Sequence, residues 1–389
     1  MESWNKIDNS LINLIDSKAA DSEPKHTSLK NTLKTILKLM PNQYLNTNAV
    51  YNKKFLVDIP KTCNNLSGLF VKFTLALTAT PVVETGIAAQ LCKRIILRTV
   101  SGTVLQQITP RYTSARLEEL YNSSLYTHIS PGITLSSSAA TSYTLFLPLF
   151  LFFSESTNTF LATRQLEPLQ LVFETNDTDL SMGITTGVLS QLDIVVYASY
   201  FDEHPTSRSD TQLNAVKSGI PKQLYGSYNI FEEDQLALLS GSTTAKLLLR
   251  CPYPVFAIHV SIYDSTTKIR TVTNLKITTR GAELINLDYR INYDLFSDIQ
   301  SLGNNGPFSL FFSKLKSRTE DSGLITFSGP MFPSYLELEF SALSADCTLS
   351  VICEYRTNYE VSDQGRIKLV MDSNMDQQNS YQGPANLTG

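Results

Sequence analysis

The chain has 389 residues, 42% of them hydrophobic and 17% charged, which describes a globular protein with room for about two domains. A formal net charge of −4 and a pI near 5.7 exclude a protein that neutralises nucleic acid over its whole surface. Five cysteines with no C-x-x-C pair exclude a disulfide framework and a zinc ribbon, and read as buried thiols in a reducing compartment.

Residues 1–60 read as an N-terminal arm. Leu29, Leu33, Ile36, Leu37 and Met40 fall at helical spacing, Lys30, Lys34 and Lys38 lie opposite them, and Pro41 stops the pattern. This predicts a short basic amphipathic helix, preceded by a second stripe at Ile7, Leu11, Ile12 and Ile15. Either its apolar stripe packs on the following domain and the lysines are merely solvated, or its lysine-bearing polar face meets an anionic surface such as phospholipid or a partner's carboxylates. The opening Met1-Glu-Ser-Trp-Asn-Lys is not a signal peptide, so the N-x-[ST] triplets are not expected to carry glycans. The most apolar run, Leu145 to Phe153, is too short to cross a bilayer as a helix.

From about Phe55 the period changes to two. Leu69, Val71, Phe73, Leu75 and Leu77 point one way, against Phe70, Lys72, Thr74 and Ala76, in a strand expected to end before Pro81. Leu169, Leu171 and Phe173 repeat the pattern, as do Leu192, Ile194, Val196 and Ala198. Short strands separated by Gly, Pro, Ser and Thr turns describe an all-β sandwich or barrel over 61–205. At the seam that follows, Asp202, Glu203 and Arg208 form a charged cluster whose default role is an ion pair holding a linker to the barrel end. The linker spans 206–245 and holds a short helix, opened by Asn229-Ile-Phe-Glu232 and closed by Gly241. A second barrel occupies 246–371, with Phe256, Ile258, Val260 and Ile262 on its core side, and 372–389 is a polar tail.

The two barrels echo one another. Pro148 to Ser154 (P-L-F-L-F-F-S) returns at Pro307 to Ser313 (P-F-S-L-F-F-S), which matches Phe152 with Phe311. The strand-glycine-strand element at Gly102 returns at Gly281, and the strand ending at Tyr200 returns in the one ending at Tyr355. The order is preserved throughout.

No phosphate-cradling loop, nucleophile elbow, H-E-x-x-H helix or dinucleotide fingerprint is present. His26, His128, His204 and His259 are scattered, none with a second ligand at metal spacing, so surface or satisfied core roles are expected. Neither catalysis, a metal nor a cofactor is predicted.

Four segments resemble the double jelly-roll major capsid proteins of icosahedral DNA viruses. Pro148 to Phe153 resembles the lineage's P-L-x-F-W-F segment, with Leu151 and Phe152 in place of the first aromatic and the tryptophan. Phe160 to Phe173 resembles its L-P-L-x-A-L-x-x-H-E-V region without the proline and histidine, Tyr200 to Arg208 resembles the Y-x-x-L-D-x-x-E-R seam, and Lys93 to Leu105 the strand-glycine-strand element. The resemblance implies two eight-stranded jelly rolls side by side and homotrimers whose six barrels form a pseudo-hexagonal tile of a virion shell. It further implies partners in neighbouring capsomers and minor capsid or penton proteins. An internal membrane could be met through Lys30, Leu33, Lys34, Leu37, Lys38 and Met40, and no sequence-specific nucleic-acid binding is implied. Assembly would occur inside the host cell, without secretion. The rival readings are a virion spike or glycan-binding jelly roll, and a non-viral paired-jelly-roll enzyme.

Overall fold

The alternation of β-branched, aromatic and polar residues is realised as antiparallel ladders in four sheets. The computed structural model describes residues 33–370 except 42, 45–49, 62–64, 84–86, 121–140, 155–160, 164–165, 203–222, 233–235, 265–268, 271, 280–281, 289–307, 313–324, 328–332 and 363–364. The first barrel holds β1 (Leu33–Leu39), β2 (Gln43–Tyr44), β3 (Lys54–Ile59), β4 (Asn65–Val83), β5 (Cys92–Thr99), β6 (Val104–Ile108), β7 (Thr141–Pro148), β8 (Leu161–Ala162), β9 (Leu169–Thr175) and β10 (Ile184–Asp202). Among the described residues the α-helices α1 (Ile87–Gln90) and α2 (Pro110–Leu120) and a 3-10 turn at Leu180–Met182 interrupt it. The second barrel holds β11 (Gln223–Glu232), β12 (Leu236–Leu238), β13 (Thr244–Leu249), β14 (Val255–Asp264), β15 (Ile269–Arg270), β16 (Val272–Thr279) and β17 (Ala282–Asp288). It is completed by β18 (Phe308–Phe311), β19 (Ser334–Phe340), β20 (Cys347–Val361) and β21 (Ile367–Val370).

One sheet of the first barrel runs β1-β10-β4-β7 and the other β3-β9-β5-β6, with β2 flanking β3. The second barrel repeats this as β11-β20-β14-β18 and β13-β19-β16-β17. With the eight principal strands of each barrel taken in chain order, both give one-eight-three-six and two-seven-four-five, the double Greek key of a jelly roll.

Two irregularities fix the correspondence between the barrels. In β4 against β10 the ladder skips Ser67 between Gly68↔Ser199 and Leu66↔Tyr200, and in β14 against β20 it skips Phe256 between Ala257↔Glu354 and Val255↔Tyr355. Tyr200 therefore matches Tyr355, as the sequence echo proposes. A second shared bulge falls at Leu105 in β6 and at Leu284 in β17. The bulge also explains a division of labour in β14: Val255, Ile258, Val260 and Ile262 enter the second core, whereas Phe256 and Ala257 are turned into the cluster of the first barrel.

The structure corrects several expectations. Leu33–Leu39 is the edge strand β1, not a helix; Leu37 and Leu39 pack on the core while Ile36, Lys38 and Met40 face outward. The segment L-K-T-I-L-K-L satisfies both periods, and a ladder to β10 outweighs a helix that is marginal at this length. Strands β1 to β3 therefore belong to the first barrel rather than to an arm. The helix expected from Asn229 to Leu239 is likewise absent: these residues end β11 and form β12, both paired with β20, so the second barrel begins before residue 246. Gly241 does adopt a left-handed φ of 84°, closing a turn after a strand instead of a helix. The strand at Leu69 continues through Pro81 to Val83, the proline falling where the ladder shifts between Thr186↔Val82 and Val188↔Thr78. Finally, the matched phenylalanines slip by two: Phe70 faces Pro148 and its counterpart His259 faces Ser309, which makes Phe150, not Phe152, the equivalent of Phe311.

The core positions read from the sequence hold. Leu69, Val71, Phe73, Leu75 and Leu77 interleave with Leu192, Ile194, Val196 and Ala198, all buried, and Cys92, Cys251, Cys347 and Cys353 are buried free thiols. Cys63 lies outside the described residues. At the rim of this core Glu174 stands directly across from Lys54 on one side and Arg94 on the other, pairing with both. Burial alone would raise the Glu174 pKa, but the hydrogen bonds and charges of Arg94 and Lys54 hold it below the usual range. A carboxyl with a depressed folded pKa contributes stability above its unfolded value of about 4.3, and loses that contribution as pH falls through the folded value. Glu174→Gln is accordingly expected to melt below the parent at pH 7, and the gap between the two thermal melts should narrow as the pH is taken progressively below the unfolded value.

Candidate functional site: an assembly surface

The outer face of the second barrel's larger sheet is covered by the first barrel. Polar residues stand there at the parity opposite to the core: Glu354, Ser350 and His259 are all buried. Helix α2 meets them, with Arg111 Nη1 donating to Ser350 Oγ (3.1 Å) while its guanidinium lies 4.1 Å over the Tyr263 ring. Burial pushes the Tyr263 phenol up, partly opposed by that guanidinium. Arg116 is fully buried one turn further on, its guanidinium 5.5 Å from the Phe150 ring.

The sheet edges meet as well. Strand β11 runs beside β6, and the Asn229 side chain joins them: its Oδ1 accepts from Gln107 N (3.3 Å) and its Nδ2 donates to Leu105 O (3.4 Å). At the other end, Glu167 N donates to Gly365 O (2.8 Å) and Glu167 Oε1 accepts from Ile367 N (3.1 Å), fastening β21 to the first barrel.

His259 deserves a chemical test, because Ser309 Oγ is 2.7 Å from its Nδ1 and Glu354 Oε1 is 2.9 Å from its Nε2. A serine, a histidine and a carboxylate in line can activate a nucleophile. Here all three are sealed, and the Tyr112 and Phe311 rings stand edge-on to the imidazole at 6.0 and 6.5 Å. No substrate reaches Ser309 Oγ while the barrels are packed, so the line serves to satisfy three buried polar side chains. Among the described residues no group of three or more His, Cys, Asp or Glu is placed to hold a metal ion, and no helix is long and apolar enough to cross a membrane. A cleft of about 730 Å³ opens between the barrels, but its walls mix Lys93 and Arg111 with Glu232 and Asp346, which gives it no single charge to offer a ligand.

The corresponding sheet of the first barrel, β1-β10-β4-β7, has an open outer face. One row across it reads Lys38, Tyr197, Phe70 and Pro148, and the next Val195, Lys72 and Phe146. Ile36 (61% exposed), Met40 (55%), Phe146 (51%) and Phe70 (48%) are large apolar side chains at positions where the alternation calls for polar ones.

The predicted site residues fare unequally. Leu37 is half-buried and packs against the core, while Lys38 and Met40 join the open face. Only the backbone of Leu33, Lys34 and Asp202 is described, with Leu33 opposite Asp202 in the ladder; Lys30, Glu203 and Arg208 lie outside the described residues. The sequence reading missed Phe70, Phe146, His259 and Glu354 as surface-forming residues. The available signal was parity: an aromatic or a histidine on the polar side of a strand departs from the alternation of a half-buried strand.

No family model matches the sequence, and no curated protein matches it. Solved structures do. The chain is similar to PBCV-1 VP54, as fitted into a cryo-EM reconstruction of the virophage Sputnik, with a TM-score of 0.69 and 11% identity over 87% of this chain and 97% of that one. It is similar to the Faustovirus major capsid protein (TM-score 0.60, 12% identity, 87% and 92% covered) and to the mavirus major capsid protein (TM-score 0.54, 9% identity, 91% and 93% covered). The chain has the double jelly-roll fold of these major capsid proteins.

Proposed function

We propose that the chain is a major capsid protein that self-assembles as homotrimers and builds an icosahedral shell around a DNA genome. The observation that carries this reading is the pair of complete jelly rolls locked side by side in one chain, with an open apolar sheet face on the first. A head-to-tail contact between such chains is heterologous, and it closes into a ring when the rotation allows; three chains then give a six-barrel tile. Neighbouring capsomers and minor capsid or penton proteins would be the partners of that tile. Size exclusion with light scattering is expected to give three times the 43.3 kDa chain mass. A species that stays monomeric when concentrated through the micromolar range would overturn the proposal, as would failure of electron microscopy to find shells or tiles.

A further inference from the structure

The internal barrel-to-barrel contact supplies a template for the contact between chains. Within the chain, the free edge β11 of one barrel lies along the edge β6 of the other, and Asn229 bridges them through Leu105 O and Gln107 N. Each partner has an equivalent that lacks such a neighbour among the described strands. Strand β1 is the counterpart of β11, since Thr35 faces Tyr200 as Asn229 faces Tyr355. Strand β17 is the counterpart of β6, since the shared bulge places Leu284 where Leu105 stands and Asn286 where Gln107 stands. Both β1 and β17 end their sheets, and both expose apolar side chains, Ile36 beside Thr35 and Leu284 at the bulge, the latter 44% exposed. Open apolar edges of this kind are ordinarily protected in a folded protein.

We infer that β1 and the outer face of its sheet receive the β17 edge of a second copy of this chain, in a contact that repeats the internal one. The inference rests on the trimer reading: a closed six-barrel ring needs nearly the same step from barrel to barrel within chains and between them. Phe70 holds the place that His259 holds in the buried interface, and Tyr197 the place of Ile352, so the face that is covered inside the chain is the one left open here. Thr35 then lies opposite Leu284 and Asn286 of the neighbouring copy.

The test pairs thiols across the proposed contact. Thr35→Cys with Asn286→Cys, oxidised under native conditions, is expected to give covalent dimers and trimers on non-reducing gels, with the ladder ending at three; each single variant should give neither. In parallel, Ile36→Asp should release monomers that keep the parent's β-rich circular dichroism, and adding Leu284→Lys should restore trimers. Parent trimers that show no cross-link and survive Ile36→Asp would overturn this interface while leaving the trimer in place. A monomeric parent would overturn both.

Discussion

Phe152→Ala is expected to destabilise the first barrel by about 3 to 5 kcal/mol, because the lost ring leaves a cavity that its surroundings cannot fill. The ring is fully buried and meets Phe153 edge-on, with centroids 5.4 Å apart. The backbone around it is held at several points: Phe152 N donates to Gln106 Oε1 (2.8 Å), Leu151 N to Ser154 Oγ (3.0 Å) and Ser154 N to Leu151 O (2.8 Å). Gln106 is itself buried in β6, so the segment after Pro148 cannot sink into the void without breaking that bond. Calorimetry should record a fall in Tm of roughly 10 °C. Melting within a degree of the parent would mean that the segment is looser than these bonds imply.

That segment shows how much of the fold was legible. The run P-L-F-L-F-F-S is conspicuous because it does two jobs at once, ending β7 and plugging the barrel, and its duplicate betrayed the repeat. Its exact register was not legible. The sequence aligned Pro148 with Pro307, whereas the ladders align Pro148 with Ser309, since backbone pairing and not identity decides which residues share a place. Period two found the strands whose one face is buried, such as β4, β9 and β10. It failed at β1, where leucines and lysines fit 3.6 as well as 2.0 and only the partner strand breaks the tie. At Asn229 a capping residue was visible, but what it caps is the edge of another sheet more than a hundred residues away. Long-range contacts of this kind leave no local trace. The assembly surface was half legible in the same way: the outward parity of Phe70 was plain, yet nothing in the sequence tells an aromatic that meets another barrel from one that meets water.

The buried line of Ser309, His259 and Glu354 leads to the other large effect. Glu354→Ala removes the acceptor 2.9 Å from His259 Nε2 inside an interface that excludes water. Breaking a buried pair from one side leaves its polar partner unsatisfied, which costs about 3 to 5 kcal/mol. The loss should fall on the second barrel and on its attachment to the first, because β20 serves both faces. Removing both partners together is expected to recover part of that stability, since neither half of the His259–Glu354 bond is then left behind, while Ser309 Oγ still loses its partner at His259 Nδ1. The molecule already contains such a version. Phe70 and Ser199 hold the places of His259 and Glu354 in the first barrel, and neither needs a charged partner. His259→Phe combined with Glu354→Ser copies that solution, and the Tyr112 and Phe311 rings already provide an aromatic surround for the new side chain. Thermal melts of the two single variants and the double form a cycle in which the double should lie well above Glu354→Ser alone. If the two changes simply add, the His259–Glu354 bond is not what stabilises this interface, and the polar residues of the outer face must be held by some other contact.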